Sequence, residues 1–269
     1  KKVINFIKKN YIWIILFVGI IGFITITENV LENEIMKCDV IGYNFIKTHI
    51  ISDFMTPVAK TITWFGSATC LILLCFLILV FNKNKKINIA IIFNLGICTI
   101  LNLMLKNILQ RPRPTEYRII DERGYSFPSG HSMISMAFYG LLIYLIYKNI
   151  KNKSLKWILI ILLSILILFI GISRIYLGVH YVSDVLGGFL VSISYLILYI
   201  KILKKEKILL QFLGLLILIS LEIMFLELRL FKMEDISIIL LIIIQLGIMI
   251  LKTVQLLKMQ LIQFVKLSI

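Results

Sequence analysis

The amino-acid sequence predicts an all-α protein, built as a polytopic bundle of transmembrane helices. Of its 269 residues, 60% are hydrophobic, and the mean hydropathy of +0.99 leaves too little polar surface for a soluble domain of this size. Apolar runs long enough to cross a bilayer recur along the whole chain. Basic residues crowd some connections between these runs and are sparse in others, which is typical of membrane proteins.

The apolar runs define eight predicted spans. Six would form a helical core, and the last two would be additional C-terminal transmembrane helices. The first span follows four lysines and precedes no cleavage site of small residues, so we expect it to be retained as an anchor. The predicted spans cover residues 11–27, 58–81, 87–105, 132–147, 157–172, 182–200, 208–226 and 236–251.

These spans divide the chain into three regions. Residues 1–57 would form the N-terminal anchor helix and an outer loop, and residues 58–200 the core that contains the motifs described below. Residues 201–269 would be C-terminal hydrophobic helices, and nothing in their sequence indicates a role.

The charges of the connections predict the orientation of the chain. With a cytoplasmic N-terminus, 18 of the 29 Lys and Arg residues fall in cytoplasmic segments, against a single acid, Glu206. The positive-inside rule therefore favours this topology. Because basic membrane loops account for the net charge of +15, the charge implies no nucleic-acid partner.

The cysteines and the asparagines of the spans indicate packing rather than chemistry. Three of the four cysteines fall within predicted spans and none has metal-ligand spacing, so we expect buried thiols rather than a disulfide framework or a zinc site. Asn88, Asn94 and Asn102 do not form one helical stripe, so we expect them to make interhelical hydrogen bonds. The cysteines are Cys38, Cys70, Cys75 and Cys98.

A polar segment at residues 106–130 departs from both the helical pattern and the charge rule. It contains three of the four prolines of the chain, which predicts irregular backbone. Its cations lie on the predicted outer side, where basic residues are otherwise scarce. Such a cluster is suited to a phosphate, or alternatively to anchoring at lipid headgroups. These cations are Lys106, Arg111, Arg113, Arg118 and Arg123.

The polar segment contains two motifs suited to binding an anion. Lys106 lies at the predicted outer end of the third span, and Arg113 offers a planar fork of donors that matches two phosphate oxygens. Ser129 is a plausible cap for the helix that follows, and Gly130 allows a ligand to approach the backbone. The helix N-terminus would then present free N–H groups to phosphate, with His131 in its first turn.

A third motif pairs a histidine with a carboxylate. Arg174 ends the fifth span, and His180 and Asp184 lie four residues apart at the start of the sixth. The carboxylate of Asp184 can fix the tautomer of His180 and leave the other ring nitrogen free as a nucleophile. A structural His–Asp pair is the alternative. The predicted topology places this motif and the polar segment on the same face of the membrane.

Together the three motifs resemble the type 2 phosphatidic acid phosphatase superfamily, also called lipid phosphate phosphatases. The signatures of that family are Lys-x6-Arg-Pro, Pro-Ser-Gly-His and Ser-Arg-x5-His-x3-Asp. Residues 106–114, 128–131 and 173–184 match them without a substitution and in order. Residues after 200 lie beyond the usual six-helix plan of the family.

The resemblance implies a role for each motif residue. His180 would attack phosphorus and form a phosphohistidine, Asp184 would orient it, and His131 would protonate the leaving oxygen. The phosphate would be bound by Lys106, Arg113, Ser129, Gly130 and Arg174. No cofactor or metal is implied, and the chain has only three histidines, His49 being the third.

The sequence leaves the lipid open. Phosphatidic acid, phosphatidylglycerophosphate and undecaprenyl diphosphate, a prenyl diphosphate, all fit, because the motifs recognise phosphate rather than the chain attached to it. We expect a multi-pass protein of a bacterial cytoplasmic membrane, surrounded by membrane lipids, with its active site facing outward. A lipid-phosphate binding or transport protein that retained the pocket is the alternative, although such a protein needs no pair of histidines.

Overall fold

A computed structural model describes residues 2–32, 34–115 and 118–204, with side chains from residue 10 onward. This part of the chain is all-helical, which confirms the predicted fold class. Its eight helices are α1 (Lys2–Leu31), α2 (Lys37–His49), α3 (Met55–Trp64), α4 (Ala68–Phe81), α5 (Lys85–Leu109), α6 (Gly130–Asn149), α7 (Lys153–Tyr176) and α8 (Val182–Leu203).

Five of these helices are long and apolar enough to cross a membrane, and the number rises to six if the bent pair α3–α4 forms one span. They correspond to the first six predicted spans, with longer bounds because the polar flanks continue each helix. The chain is therefore a multi-pass membrane protein. The predicted spans 208–226 and 236–251 lie outside the described residues.

The predicted span over 58–81 consists of two helices, α3 and α4, rather than one continuous helix. The axes of α3 and α4 differ by 50° across a break at residues 65–67. Ser67 caps α4 by accepting a bond from the backbone N–H of Cys70 at 3.2 Å, and the Tyr139 hydroxyl donates to the Phe65 carbonyl at 2.7 Å. These side chains bind backbone groups at the break, which is why an apolar run can be interrupted there without a proline.

The prediction of an outer loop throughout 28–57 is also incomplete, because α2 lies within it. This short helix packs against α7 and α8. Its Asp39 side chain is buried at the contact with α8, whereas Ile41 and Phe45 are exposed. The helix thus brings a polar residue from the N-terminal region to the start of α8.

Helix α6 lies at the centre of the bundle and packs against α5, α7 and α8, while α1 packs against α8 and α5. Small residues allow the close contact between α6 and α8. A methyl group added to Gly188 would lie 3.1 Å from the Ser129 carbonyl oxygen. The first turn of α8 is consequently held against the first turn of α6, where the second and third motifs meet.

Polar side chains between the helices behave as expected for a membrane bundle. Asn94 donates to the Ala137 carbonyl at 2.9 Å, and Asn102 donates to the Pro128 carbonyl at 3.3 Å. Asn88 instead bonds Asn82 near the α4–α5 connection. Three thiols are buried as predicted and Cys38 is exposed, and all four cysteines are free.

Candidate active site

The three motifs lie at four helix ends that meet. Lys106 is in the last turn of α5, and Arg174 is in the last turn of α7. Gly130 begins α6 and His180 precedes α8. The backbone N–H of Ser129 donates to the Asp184 carbonyl at 3.1 Å, and this bond joins the second motif directly to the third.

His180 and Asp184 form the buried centre of the site. The two side chains are nearly inaccessible to solvent, and the distance from His180 Nδ1 to Asp184 Oδ2 is 3.2 Å. The same carboxylate oxygen accepts the Tyr181 backbone N–H at 2.9 Å and the Ser126 hydroxyl. His180 itself lies just before α8 rather than within it, so the bond from Tyr181 to Asp184 turns the chain and places the imidazole over the carboxylate.

Arg113 defines which nitrogen of His180 carries the proton. Its Nη1 is 3.1 Å from His180 Nε2, and a guanidinium can only donate. Nε2 therefore accepts, which leaves the proton on Nδ1, where it is donated to Asp184. The arginine is fixed in turn by the carbonyls of Val179, at 2.9 Å, and Gly124, also at 2.9 Å.

Arg174 is the second buried cation of the site, with a side chain only 1% exposed. Its Nη1 donates to Thr63 Oγ1 at 2.9 Å, and its Nη2 contacts the Glu122 carboxylate. Arg113 Nη2 lies 3.4 Å from the other oxygen of that carboxylate. Within the described residues, Arg174 Nε has no hydrogen-bond partner. One carboxylate thus bridges two guanidinium groups beside His180, so the site accommodates an anion.

The other three predicted phosphate ligands are Lys106, Ser129 and Gly130, and each makes different contacts. Lys106 Nζ donates to the Tyr125 carbonyl and to the Ser126 carbonyl at 3.3 Å. Ser129 caps α6, as predicted, by accepting the Ser132 N–H at 3.4 Å. Its own backbone N–H donates to the backbone carbonyl of Asp184 at 3.1 Å. Gly130 lies against Asn102 and Lys106, since an added methyl would be 3.0 Å from Asn102 Oδ1.

His131 is half-buried in the first turn of α6. Its ring lies against Gly66 in the α3–α4 break, where a methyl on Gly66 would be 3.3 Å from His131 Cδ2. Arg113 and Lys106 are both close enough to act on its charge. The structure therefore places it among the cations of the site, without a direct bond to His180.

Four further residues belong to the site and were not singled out from the sequence. Ser126 bonds Asp184 and lies 3.3 Å from His180 Nδ1. Glu122 bridges the two arginines, and Arg111 and Asp39 contact Asp184 or its neighbours. Arg111 and Glu122 were visible only as members of the charged segment. Neither Ser126 nor Asp39 belongs to a motif, so no local signal marks them.

A cavity of about 330 Å³ opens beside His180. It is lined by Asp39, Tyr43, Asn44, Pro114, His180 and Tyr181, among others. Among the described residues no group of three or more His, Cys, Asp or Glu is arranged to hold a metal ion.

Burial determines the protonation state of His180. Desolvation lowers the pKa of its imidazole from 6.5 to about 3, against the opposing effect of Asp184. The folded-state pKa is lower than the usual value, so the ring stays neutral as pH falls through 6.5 and takes up a proton only at more acidic pH. We expect the imidazole ¹⁵N resonances of His180 to be constant between pH 5 and 8. A titration midpoint near 6.5, on signals that His180→Gln removes, would contradict this.

Comparison with known proteins agrees with this geometry. The family model of the PAP2 superfamily matches residues 87–208. Phosphatidylglycerophosphatase B of Bacillus subtilis is 34% identical over 143 residues, which cover 51% of this chain and 69% of the relative. The chain belongs to the PAP2 superfamily. An undecaprenyl-diphosphatase of Sulfolobus acidocaldarius is 29% identical over 209 residues, covering 72% of this chain and 93% of that protein.

A solved structure supports the family and the fold. The crystal structure of a transmembrane PAP2-type phosphatidylglycerolphosphate phosphatase from Bacillus subtilis superimposes with a TM-score of 0.63 at 26% identity. The match covers 71% of this chain and 96% of that one. The resemblance seen in the motifs is thereby confirmed, and this member of the superfamily is a membrane lipid phosphatase.

Proposed function

We propose that the protein hydrolyses a lipid phosphate monoester or diphosphate at the outer face of a bacterial cytoplasmic membrane, through a phosphohistidine on His180. One observation carries the proposal: Arg113 contacts His180 Nε2 at 3.1 Å and shares a carboxylate with the buried Arg174. An anion-binding site therefore adjoins the Nε2 lone pair of a neutral, oriented histidine.

The first step transfers the phosphoryl group to the enzyme. The phosphate displaces Glu122 and is bound by Lys106, Arg113 and Arg174, which stabilise the negative charge of the equatorial oxygens. His180 Nε2 forms a bond to phosphorus as the bond to the lipid oxygen breaks. Protonated His131 gives its proton to that oxygen, so the lipid leaves as a neutral alcohol or, from a diphosphate, as a monophosphate.

The second step returns the enzyme to its starting state. Neutral His131 takes a proton from water, and the resulting hydroxide oxygen bonds phosphorus while the P–N bond breaks. Inorganic phosphate leaves, and Nε2 regains its lone pair. Throughout both steps Asp184 accepts the Nδ1 proton bond and stabilises the positive charge that the ring acquires on phosphorylation.

Two lipids are favoured as substrates by the relatives. The Bacillus protein is named for phosphatidylglycerophosphate and the Sulfolobus protein for undecaprenyl diphosphate. We therefore expect purified protein in detergent to release phosphate from at least one of these or from phosphatidic acid. Activity should be unchanged by a chelator, because three cationic side chains neutralise the charge of the phosphate in the proposed mechanism.

Two results of this assay would contradict the proposal. Loss of activity in chelator that returns with added metal would contradict the metal-free mechanism. Absence of phosphate release from all three lipids, with retained binding, would instead favour a binding or transport protein.

The proposed orientation can be tested by thiol labelling. Cys38 is exposed and would be labelled itself, so the background variant is Cys38→Ser. In this background, we expect a membrane-impermeant maleimide applied from outside to modify Asp121→Cys but not Lys151→Cys. In the proposed topology these two exposed positions lie on opposite sides of the membrane. The reverse pattern would place the site at the cytoplasmic face.

A further inference from the structure

Arg111 lies behind the His180–Asp184 pair and bonds two carboxylates at once. Its Nη1 is 2.7 Å from Asp184 Oδ1, and its Nη2 is 3.0 Å from Asp39 Oδ2. Its guanidinium stacks on the Tyr181 ring, with 4.1 Å from Cζ to the ring centroid. The side chain is 5% exposed, and both of its terminal nitrogens are occupied by buried carboxylates.

Asp39 comes from α2, more than forty residues before the first motif. Its side chain is 1% exposed and accepts three hydrogen bonds, two of them from Ser183 at the start of α8. Besides Arg111, it accepts the Ser183 N–H at 2.7 Å and the Ser183 hydroxyl at 2.8 Å. Ser183 Oγ also lies 2.7 Å from Arg111 Nη1, which closes the group into a ring of bonds.

We propose that Asp39, Arg111 and Ser183 form a positioning network that holds the Asp184 carboxylate in register with His180, so that α2 is part of the machinery of phosphoryl transfer. The inference rests on the proposed function. Arg111 and Ser183 do not line the cavity beside His180. The Asp39 carboxylate is bonded to both of them, and Arg111 is bonded to Asp184, so the network acts through Asp184.

The first argument is geometric. Asp184 Oδ1 is bonded by Arg111, whereas Oδ2 accepts His180, Tyr181 and Ser126. With both oxygens assigned, the carboxylate cannot rotate about its Cβ–Cγ bond. Without Arg111 that restraint is lost, and His180 Nδ1 has a less well-placed acceptor. A misplaced acceptor weakens the orientation of Nε2 toward phosphorus.

The second argument concerns charge. Asp39, Arg111 and Asp184 carry one net negative charge while His180 is neutral, and all four side chains are buried. When Nε2 bonds phosphorus, the imidazole becomes cationic and the group becomes neutral overall. Asp39 supplies the second negative charge of this balance. Removing it leaves a buried group that is less able to stabilise the charge formed in the transition state.

A purely structural role would attach α2 to the bundle without affecting the chemical step. The two roles differ in kinetics, because a positioning network changes kcat and the rate of phosphohistidine formation while leaving KM nearly constant. The substitution that tests this is Asp39→Asn, which keeps the shape and removes the charge. Asp53→Asn, an exposed acid in the same N-terminal region, is the matched control.

For Asp39→Asn we expect kcat and the single-turnover rate of phosphohistidine formation to fall by about 10-fold, with KM changed by less than about 2-fold. Asp53→Asn should match the wild type. The kcat of Arg111→Lys should lie between the kcat of the wild type and that of Arg111→Met. An ammonium group keeps the positive charge but cannot bond both carboxylates in the same plane.

Should Asp39→Asn fail to fold, Ser183→Ala decides the matter, because it removes only one hydroxyl from the network and is expected to lower kcat by about 3-fold. A wild-type rate of phosphohistidine formation in folded Asp39→Asn, or in Ser183→Ala, would overturn the network alone. Absence of phosphohistidine from the wild-type protein would instead overturn the proposed function on which the network rests.

Discussion

Replacement of His180 by alanine should lower phosphate release by at least about a thousandfold, because the chain would lose the atom that bonds phosphorus. Binding of the lipid phosphate should change little. The three cations proposed to bind its oxygens remain, and His180 contributes no charge at neutral pH because burial lowers its pKa to about 3. The measurement is phosphate release at saturating lipid, together with equilibrium binding of a fluorescent short-chain lipid phosphate.

His49→Ala is the matched control for this substitution. His49 is exposed at the end of α2 and bonds only Thr48 and the Phe45 carbonyl, so its removal should leave turnover unchanged. If His180→Ala retained more than about a tenth of wild-type turnover, a nucleophilic role would be untenable, since loss of a nucleophile costs several orders of magnitude in rate. Unchanged turnover together with lost binding would make His180 a ligand instead.

Replacement of Arg174 by methionine should lower kcat/KM by about 10²–10³-fold, which is typical when one preorganised donor to a transition-state charge is removed. Arg174 is almost fully buried and has a donor without a partner among the described residues. An unsatisfied buried donor is costly unless a ligand supplies the acceptor. We propose that the substrate phosphate is the acceptor for this Arg174 donor. Because the contact would be made both in the bound state and in the transition state, both KM and kcat should change.

Arg123→Met is the control for the loss of one positive charge from the same face. The Arg123 side chain is exposed, and only its backbone carbonyl contacts the site, through Arg113. We expect this variant to retain kcat/KM within about 2-fold, since an exposed cation is screened by solvent and salt. Equal losses in the two variants would show that overall charge, rather than a specific phosphate contact, determines the rate.

Glu122 stabilises the two buried arginines of the site. Two buried guanidinium groups beside a histidine repel each other, and the Glu122 carboxylate between them offsets this repulsion. The residue lies in the irregular segment between α5 and α6. In the sequence Glu122 is one of the few acids of the polar segment at 106–130, and its partner Arg174 belongs to a distant motif.

The spans of the bundle could be predicted because lipid imposes length and hydropathy on each helix. The break between α3 and α4 could not, since it depends on a hydrogen bond from Tyr139, which lies in another helix. Helix α2 was missed for a similar reason. Its sequence is short and mixed, and it is stabilised by packing and by the burial of Asp39 rather than by an apolar run.

In the candidate site, too, local motifs could be predicted from the sequence, whereas contacts between distant residues could not. His180, Asp184 and the cations proposed to bind phosphate belong to short sequence motifs, so their chemistry could be predicted without the fold. Arg111 and Ser126 act through contacts with Asp184, more than fifty residues away in the chain. Sequence patterns cannot reveal such contacts. The unavailable N–H of Ser129 likewise follows from the tight packing of α6 on α8.

Trapping the covalent intermediate tests the central claim most directly. Purified protein would be mixed with lipid phosphate labelled with ³²P at the terminal phosphate, quenched in alkali within the first turnover, and digested for mass spectrometry. We expect one alkali-stable, acid-labile phosphoryl group on the peptide that contains His180, and none in His180→Ala. A phosphoryl group on His131, or phosphate release without any labelled peptide under conditions that preserve phosphohistidine, would contradict the account.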